Sequence, residues 1–532
     1  MVMAIAMARP NRCRAHNHPA LSVGWEIPKT CGGREPGAGQ RWIGIVSQPQ
    51  MARFRTAGTS RPVASDAFVF FGATGDLAFK QIFPALAGLI RDDDWTLPII
   101  GLARHGDLAA LRERASQSLA AHGMTDPAVL RHLHARLRFV RGSDDDVDTF
   151  RRLRAELGTA RHPLHYLAIP PADFGAVVTL LGESRCADGA RVIVEKPFGR
   201  NLADARRLNA TLHTVFDEPR IFRIDHYLGK EPVQNLLYFR FANRFLEPIW
   251  NANHVASVQV TMAETLDVAG RGAFYDGVGA IRDVVQNHIL QTVSILAMEP
   301  PSGHTAEALR NEKFKLLDSV RPLRPEEVVR GQYGGYRREP GVARDSNVET
   351  YVALRLRVDT WRWGGVPFFI RAGKCLPVSA TEVVVELKRP PFDVFAERRP
   401  ATANHLRFRL TPDMSISLVA RAKKPGERMD GEEVELVAHH EVGTEVPPYQ
   451  RLIGDAAEGD QMLFAREDTV EAAWRIVDPV LNLTAPPLRY RRGTWGPKAA
   501  EGLIPSSEHW FRPVPTRPEP EPGLLRPPTS RP

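Results

Sequence analysis

The chain has 532 residues but few cysteines, and these form no metal-binding pattern. Its four cysteines are scattered, with neither a CxxC pair nor a Cys/His ligand spacing: Cys13, Cys31, Cys186 and Cys375. This scarcity argues against a structural zinc site, and a disulfide framework is not expected in so large a chain. We therefore expect no metal centre and a reducing, cytoplasmic setting.

The sequence also lacks any apolar run that approaches the roughly 20 residues needed to span a bilayer. Its content of 43% hydrophobic and 25% charged residues is that of an ordinary globular protein. We therefore expect no membrane partner.

Excess positive charge is almost absent from the body of the chain, although the formal net charge is +8. Residues 1–61 contain nine Lys or Arg and two acids, which gives this segment +7 and leaves the remainder near +1. We therefore expect no nucleic-acid partner. The basic segment is compatible with a disordered extension or an Arg-rich transit peptide, and Met51 offers an alternative start just before the first ordered pattern.

Length and patterning predict two large domains between two tails. We expect an N-terminal extension (1–62), a dinucleotide-binding domain (63–200), an α+β substrate and oligomerisation domain (201–511) and a Pro-rich tail (512–532).

In the first domain, short apolar runs alternate with helical stretches, which predicts βαβ units in a doubly wound, Rossmann-like α/β fold. The predicted strands are Ala67–Phe71, Pro98–Leu102, His165–Ile169 and Arg191–Val194.

In the second domain, strand follows strand with few helices between, which predicts a large, mainly antiparallel sheet. One long helix is predicted from Phe274 to Met298. The predicted strands are Val255–Met262, Thr350–Val358, Pro367–Ile370, Glu382–Leu387, His405–Leu410 and Ser415–Val419.

A glycine turn follows the first predicted strand and precedes an apolar helix. In this context paired glycines let backbone N–H groups approach a pyrophosphate, although the motif is GxxGDL rather than GxGxxG. A plain strand–helix turn remains an alternative. The candidate cofactor-binding residues are Gly72, Thr74, Gly75, Asp76 and Leu77.

Two basic residues follow later strands of the same predicted sheet. Arg104 stands where NAD-binding folds usually place an acid, so it favours the 2′-phosphate of NADP, with an ordinary surface arginine as the alternative. Lys196, in the segment Glu195–Gly199, lies at the carboxyl end of a strand, where doubly wound sheets bind ligands. A structural loop lysine is the competing interpretation.

The segment 223–231, RIDHYLGKE, places a carboxylate, an imidazole, a phenol and an ammonium close together. In a helical turn His226 and Lys230 share one face, and two such donors suit a phosphate. A solvated polar turn is the alternative.

Together these residues resemble glucose-6-phosphate dehydrogenases. The resemblance covers about Asp66 to Ile504, and RIDHYLGKE combined with the downstream QNH is its most specific part. The matching segments are GATGDLA at 72–78, EKPFG at 195–199, RIDHYLGKE at 223–231, IRDVVQNH at 281–288, PFFIRAGK at 367–374, EGDQMLF at 458–464 and EAAWRIVDP at 471–479.

The resemblance implies oxidation of glucose 6-phosphate to the 6-phosphoglucono-lactone, with hydride transfer to NADP+ or, as an alternative, NAD+. This is the first step of the oxidative pentose phosphate pathway. The family associates through its large sheet, which implies a homodimer or homotetramer.

The resemblance also implies roles for individual residues. His288 is the catalytic base and Asp225 its partner. Lys196 lies between substrate and cofactor. The remaining substrate-binding residues are His226, Tyr227 and Lys230 for the phosphate, and Glu264, Asp283 and Lys374 for the sugar.

Helical geometry predicts that Asp283 does not pair with His288. The two are five positions apart, which on a continuous α-helix separates their directions by about 140°. Partnership with Asp225, from another segment, is therefore expected.

One departure from the family concerns the cofactor end. Phe79-Lys80-Gln81 stands where the family usually has a Lys-rich run, so we expect weaker cofactor binding or a shifted NADP preference. Two further hypotheses remain open: a related dehydrogenase of another sugar phosphate, and a catalytically silent, nucleotide-sensing homologue.

Overall fold

The computed structural model describes residues 63–93, 95–268, 270–392, 394–395, 403–439, 445–506 and 508–513. The predicted extension 1–62, with Cys13 and Cys31, and residues 514–532 of the predicted tail lie outside the described residues.

The first sheet contains six parallel strands in the order β3-β2-β1-β4-β5-β6. This confirms the doubly wound, Rossmann-like fold. Strands β1 and β4 are buried along their whole length because helices cover both faces of the sheet. The strands are β1 (Ala67–Phe71), β2 (Ile99–Ala103), β3 (Leu137–Arg141), β4 (Pro163–Leu167), β5 (Arg191–Glu195) and β6 (Ile221–Ile224).

The second sheet contains nine strands in the order β14-β13-β12-β11-β7-β10-β9-β8-β15. It is mainly antiparallel, as predicted, with two parallel pairs, β7 with β10 and β8 with β15. The strands are β7 (Val255–Ala263), β8 (Val328–Tyr333), β9 (Tyr351–Arg357), β10 (Pro367–Gly373), β11 (Ala380–Leu387), β12 (His405–Thr411), β13 (Ser415–Lys423), β14 (Gly431–His439) and β15 (Leu488–Tyr490).

Twelve α-helices surround the sheets in the described residues. None of the described helices is long and apolar enough to cross a bilayer. The helices are α1 (Phe83–Asp92), α2 (Leu108–Ala121), α3 (Pro127–Arg136), α4 (Val147–Leu157), α5 (Phe174–Glu183), α6 (Leu202–His213), α7 (Glu231–Ala242), α8 (Gly272–Asp276), α9 (Leu290–Ala297), α10 (Ala306–Asp318), α11 (Pro448–Glu458) and α12 (Glu467–Val477).

The predicted helix Phe274–Met298 is not continuous. It consists of α8, a π-helical segment over Ile281–Ile289, and α9. Gly279, with φ +71°, separates α8 from the π segment, because this left-handed conformation interrupts a right-handed helix.

The predicted domain boundary at residue 200 stays a prediction. The first sheet includes β6, which lies beyond that position. Helix α11, much later in the chain, packs against α1, and its Leu452 and Ile453 join the core beneath Phe68.

Candidate active site

The candidate residues of the first domain follow the carboxyl ends of its strands. Gly72 follows β1, Arg104 follows β2, Lys196 follows β5 and Asp225 follows β6. Because all six strands are parallel, these ends lie along one edge of the sheet, where doubly wound folds bind ligands. A second set of residues reaches this edge from the π segment and from the second sheet.

The glycine turn after β1 has a tightly packed first residue and an exposed tip. Gly72 has φ +71°, and a Cβ there would lie 2.4 Å from the carbonyl oxygen of Ala168, so a side chain does not fit. The N–H of Gly75 donates to the carbonyl of Gly72 at 2.8 Å, which closes the turn. Thr74, Gly75 and Asp76 are exposed. The turn therefore fits a pyrophosphate that approaches backbone N–H groups.

Arg114, which sequence reasoning missed, brings positive charge to this turn from α2. Its guanidinium donates to the carbonyl of Gly75 at 3.0 Å and lies over the ring of Phe79, 5.1 Å from the centroid. Asp76 pairs with Lys80 at 3.0 Å, so that lysine is engaged locally. The position of Arg114 in the sequence carries no signal of this contact, which arises when α2 packs beside the turn.

Arg104 is exposed at the end of β2, beside Asp144 from the loop after β3. The two side chains lie 3.6 Å apart. Burial raises the pKa of Asp144, and Arg104 opposes this effect. The Arg104 guanidinium therefore contacts Asp144 on one side, while most of its surface remains accessible.

His288 lies against Asp225, as the sequence predicted. Nδ1 of His288 is 2.6 Å from Oδ1 of Asp225, and both side chains are buried. Burial acts to raise the pKa of Asp225, but His288 outweighs it and the pKa falls well below its usual value. Asp225 is therefore ionised, and its Oδ1 lies against Nδ1 of the imidazole.

The other ring nitrogen of His288 faces Lys196. Nζ of Lys196 lies 2.8 Å from Nε2 of His288, donates to the carbonyl of Asp283 at 3.3 Å, and is 3.8 Å from Oδ1 of Asp283. Burial lowers the pKa of His288, Asp225 opposes this and Lys196 reinforces it. Because an ammonium can only donate, Nε2 is the acceptor in its contact with Lys196.

The predicted angle of about 140° between Asp283 and His288 assumed an α-helix of 3.6 residues per turn, and it is wrong. The segment is π-helical, and its i→i+5 hydrogen bonds bring residues five positions apart onto one face. Both residues consequently contact Lys196. The expected contact of His288 with Asp225 nevertheless holds.

Residues 225–230 form consecutive i→i+3 turns rather than an α-helix, and α7 begins only at Glu231. The turns place His226 and Tyr227 against His288, each with ring centroids 4.8 Å away. Nζ of Lys230 lies over the Tyr227 ring, 4.4 Å from its centroid. Burial lowers the pKa of His226 to about 3 and also lowers the pKa of Lys230.

Glu264 and Lys374 form an ion pair at the ends of β7 and β10. These strands are parallel neighbours, so their carboxyl ends lie side by side. Nζ of Lys374 is 5.3 Å from the ring centroid of Tyr275. Burial raises the pKa of the Tyr275 hydroxyl, and the negative charges of Asp283 and Glu264 raise it further. The structure thus brings the predicted sugar-binding residues to the same region.

Two tyrosines, from β4 and α11, also border the site and were missed by sequence reasoning. The Tyr166 hydroxyl donates to Glu195 at 2.5 Å, and the Tyr449 ring stacks on His226. No motif spacing relates these residues, because their proximity depends on strand order and on the return of α11 to the first domain.

Comparison with known proteins covers almost the whole described chain. The family model for the NAD binding domain of glucose-6-phosphate dehydrogenase matches residues 69–235, and the model for its C-terminal domain matches residues 237–512.

Two named relatives extend over the same region. Glucose-6-phosphate 1-dehydrogenase 1 of Mycobacterium tuberculosis is 44% identical over 454 residues, which cover 85% of this chain and 97% of that protein. Glucose-6-phosphate 1-dehydrogenase of Aggregatibacter actinomycetemcomitans is 40% identical over 480 residues, covering 84% of this chain and 97% of that protein.

Solved structures agree with the sequence matches. Glucose-6-phosphate 1-dehydrogenase from Mycobacterium avium superposes with a TM-score of 0.81 at 44% identity and covers 85% of this chain and 100% of that chain. A glucose-6-phosphate dehydrogenase in complex with its substrate superposes with a TM-score of 0.79 at 33% identity and the same coverage. The chain therefore belongs to the glucose-6-phosphate dehydrogenase family.

Proposed function

We propose that the protein oxidises glucose 6-phosphate at its anomeric carbon to 6-phosphoglucono-lactone, with hydride transfer to NADP+, as the first step of the oxidative pentose phosphate pathway. The observation that carries this proposal is the placement of His288 between Asp225 and Lys196, beside the His226 imidazole and the Lys230 side chain. This arrangement offers a base and a phosphate site a few ångströms apart.

His288 acts as the base. Its lowered pKa keeps Nε2 unprotonated near neutral pH, so it accepts the proton of the anomeric hydroxyl as the hydride departs from the same carbon. Asp225 holds the tautomer in which Nδ1 carries the proton, and its negative charge stabilises the imidazolium that forms.

The dinucleotide is held at the glycine turn. When bound, it supplies the nicotinamide ring that accepts the hydride. We assign its binding to Gly72, Thr74, Gly75, Asp76, Leu77, Arg104 and Lys196. The exposed Arg104 supports NADP over NAD, because a guanidinium recognises a phosphate by paired hydrogen bonds.

The substrate is held by charged and hydrogen-bonding side chains. His226, Tyr227 and Lys230 take its phosphate, and Lys230 supplies the positive charge. Glu264, Asp283 and Lys374 take the sugar hydroxyls, while Lys196 lies between substrate and cofactor.

We also propose an oligomeric state and a cellular location. We propose a homodimer or homotetramer, which the exposed Leu418 and Leu436 on the outer strands of the second sheet support. We propose a cytoplasmic location, which is supported by the free, buried thiols of Cys186 and Cys375.

The test is an assay of purified protein with glucose 6-phosphate and either NADP+ or NAD+, following the absorbance of the reduced nicotinamide. We expect turnover with a higher kcat/KM for NADP+. Glucose and fructose 6-phosphate serve as control substrates and should be much poorer. Absence of turnover with both cofactors, or preference for another sugar phosphate, would contradict the proposal.

A further inference from the structure

A buried carboxyl group that the proposed mechanism does not use lies directly behind the site. Glu195, the last residue of β5, is 9% exposed. Its Oε1 accepts the hydroxyl proton of Tyr166 at 2.5 Å, and the hydroxyl of Tyr449 also interacts with this carboxyl. One side chain thereby ties together β4, β5 and α11.

Tyr449 connects this carboxyl to the substrate side. Its ring stacks on His226 with an interplanar angle of 10° and a centroid separation of 6.2 Å. His288 meets His226 edge-on, at a centroid separation of 4.8 Å. The orientation of the His226 imidazole is therefore set from both sides, and one of them depends on Glu195.

Keeping Glu195 buried is unfavourable unless its oxygens are bonded. Burial raises the pKa of Glu195 to about 7 even though both tyrosine hydroxyls and Lys196 act to lower it. Tyr166 and Tyr449 can each donate only one proton, so a carboxylate with several acceptor positions satisfies both at once. A buried group retained at this cost indicates a positional role.

We propose that Glu195 is a positioning residue for phosphate recognition, which fixes the Tyr449 ring so that it holds His226 in the orientation that receives the substrate phosphate. This inference rests on the proposed function and adds a group that does not itself touch the substrate.

The test is Glu195→Gln, which preserves size and shape but leaves a single acceptor oxygen. We expect KM for glucose 6-phosphate to rise about fivefold, the effect of losing one hydrogen bond, with kcat within about twofold and KM for NADP+ unchanged. A purely structural role would not produce this split. The control is Glu327→Gln, another buried carboxyl, which is bonded to Arg324 and should leave KM unchanged.

A double-mutant cycle tests the route through His226. In a His226→Ala background, Glu195→Gln should add no further rise in KM, because the ring that it orients is gone. A full and additive rise in that background overturns the inference, as does a fall in kcat with KM unchanged. If Glu195→Gln does not fold, Tyr449→Phe replaces it in the test. This variant keeps the ring and loses the hydroxyl, so the same changes in KM and kcat are expected.

Calorimetric binding of glucose 6-phosphate separates this inference from the proposed function. A wild-type protein that binds the sugar phosphate without turnover would refute the proposed function alone. In that case a weaker Kd in Glu195→Gln than in wild type supports the positioning role, and an equal Kd refutes it.

Discussion

At the scale of single residues, the proposed chemistry depends on opposing influences on the pKa of His288. Burial and the Lys196 ammonium lower its pKa, while the Asp225 carboxylate raises it. Lys196 is thus close enough to keep Nε2 unprotonated, and Asp225 is close enough to stabilise the charge after proton transfer. Because Asp225 and Lys196 shift the pKa of His288 in opposite directions, mutation can distinguish their effects.

Asp225→Asn removes the largest influence that raises the pKa of His288 and leaves burial and Lys196 in place. We expect kcat to fall by about a hundredfold, because the imidazolium loses its counter-charge. We also expect the acid limb of the kcat/KM profile to move to lower pH, since His288 then protonates less readily. Steady-state rates measured across the acid and neutral range test both effects.

His288→Asn provides the comparison. It should abolish turnover while glucose 6-phosphate binding remains measurable. An acid limb that stays in place or moves to higher pH in Asp225→Asn would show that Asp225 does not act on the base.

At the scale of elements, two helices with π segments shape the site. The segment Ala78–Ile82 follows the glycine turn, and Ile281–Ile289 carries Asp283 and His288. Hydrophobic periodicity does not distinguish such a segment from an α-helix, so the sequence predicted a helix and the wrong relative direction for Asp283. π segments frequently occur at functional sites, and here one turns both side chains toward Lys196.

Gly72→Ala tests the turn after β1. The new methyl group would meet the Ala168 carbonyl in a left-handed backbone conformation. We expect a loss of about 1–3 kcal/mol of stability and a clearly weaker Kd for NADP+, because the strained turn moves its N–H groups. Denaturant unfolding and dinucleotide-induced fluorescence change measure the two quantities.

Gly123→Ala is the matched control, because Gly123 has φ +70° and nothing within 4 Å of the added atom. It should lose about 1 kcal/mol of stability and bind NADP+ normally. Equal cofactor affinities in the two variants would argue against the assignment of the turn.

At the scale of the whole molecule, the parallel sheet collects residues from distant segments along one edge. The sheet also buries titratable groups whose charged form is disfavoured, and His165 on β4 is one of them. Burial lowers the pKa of His165 to about 4, with its Nε2 2.8 Å from the carbonyl oxygen of Cys186. The unfolded chain binds this proton near pH 6.5, so stability falls as pH falls between these two values.

His165→Leu should therefore reduce the acid sensitivity of folding. Between neutral pH and pH 5, the free energy of unfolding should fall by about 2 kcal/mol less in the variant than in wild type. Urea unfolding at both pH values measures the difference. The control is His105→Leu, at an exposed position, and its free energy of unfolding should fall as much as that of wild type. If the free energy of unfolding of His165→Leu also falls as much as that of wild type, His165 is not a source of the acid sensitivity.

The sequence by itself determined the local structures and the chemical groups that they carry. Apolar runs followed by glycine or basic residues predicted strands with candidate ligand-binding residues at their ends, and the motif 223–231 supplied the groups that we propose bind the phosphate. These features depend on neighbours a few positions apart, which periodicity and turn chemistry describe.

Only the tertiary structure decided how these groups meet. The order of the strands placed Lys196 beside His288, the π segment turned Asp283 toward the same lysine, and the return of α11 set Tyr449 on His226. Such contacts join segments far apart in the chain. They arise from packing around shared cores, which local preferences do not specify.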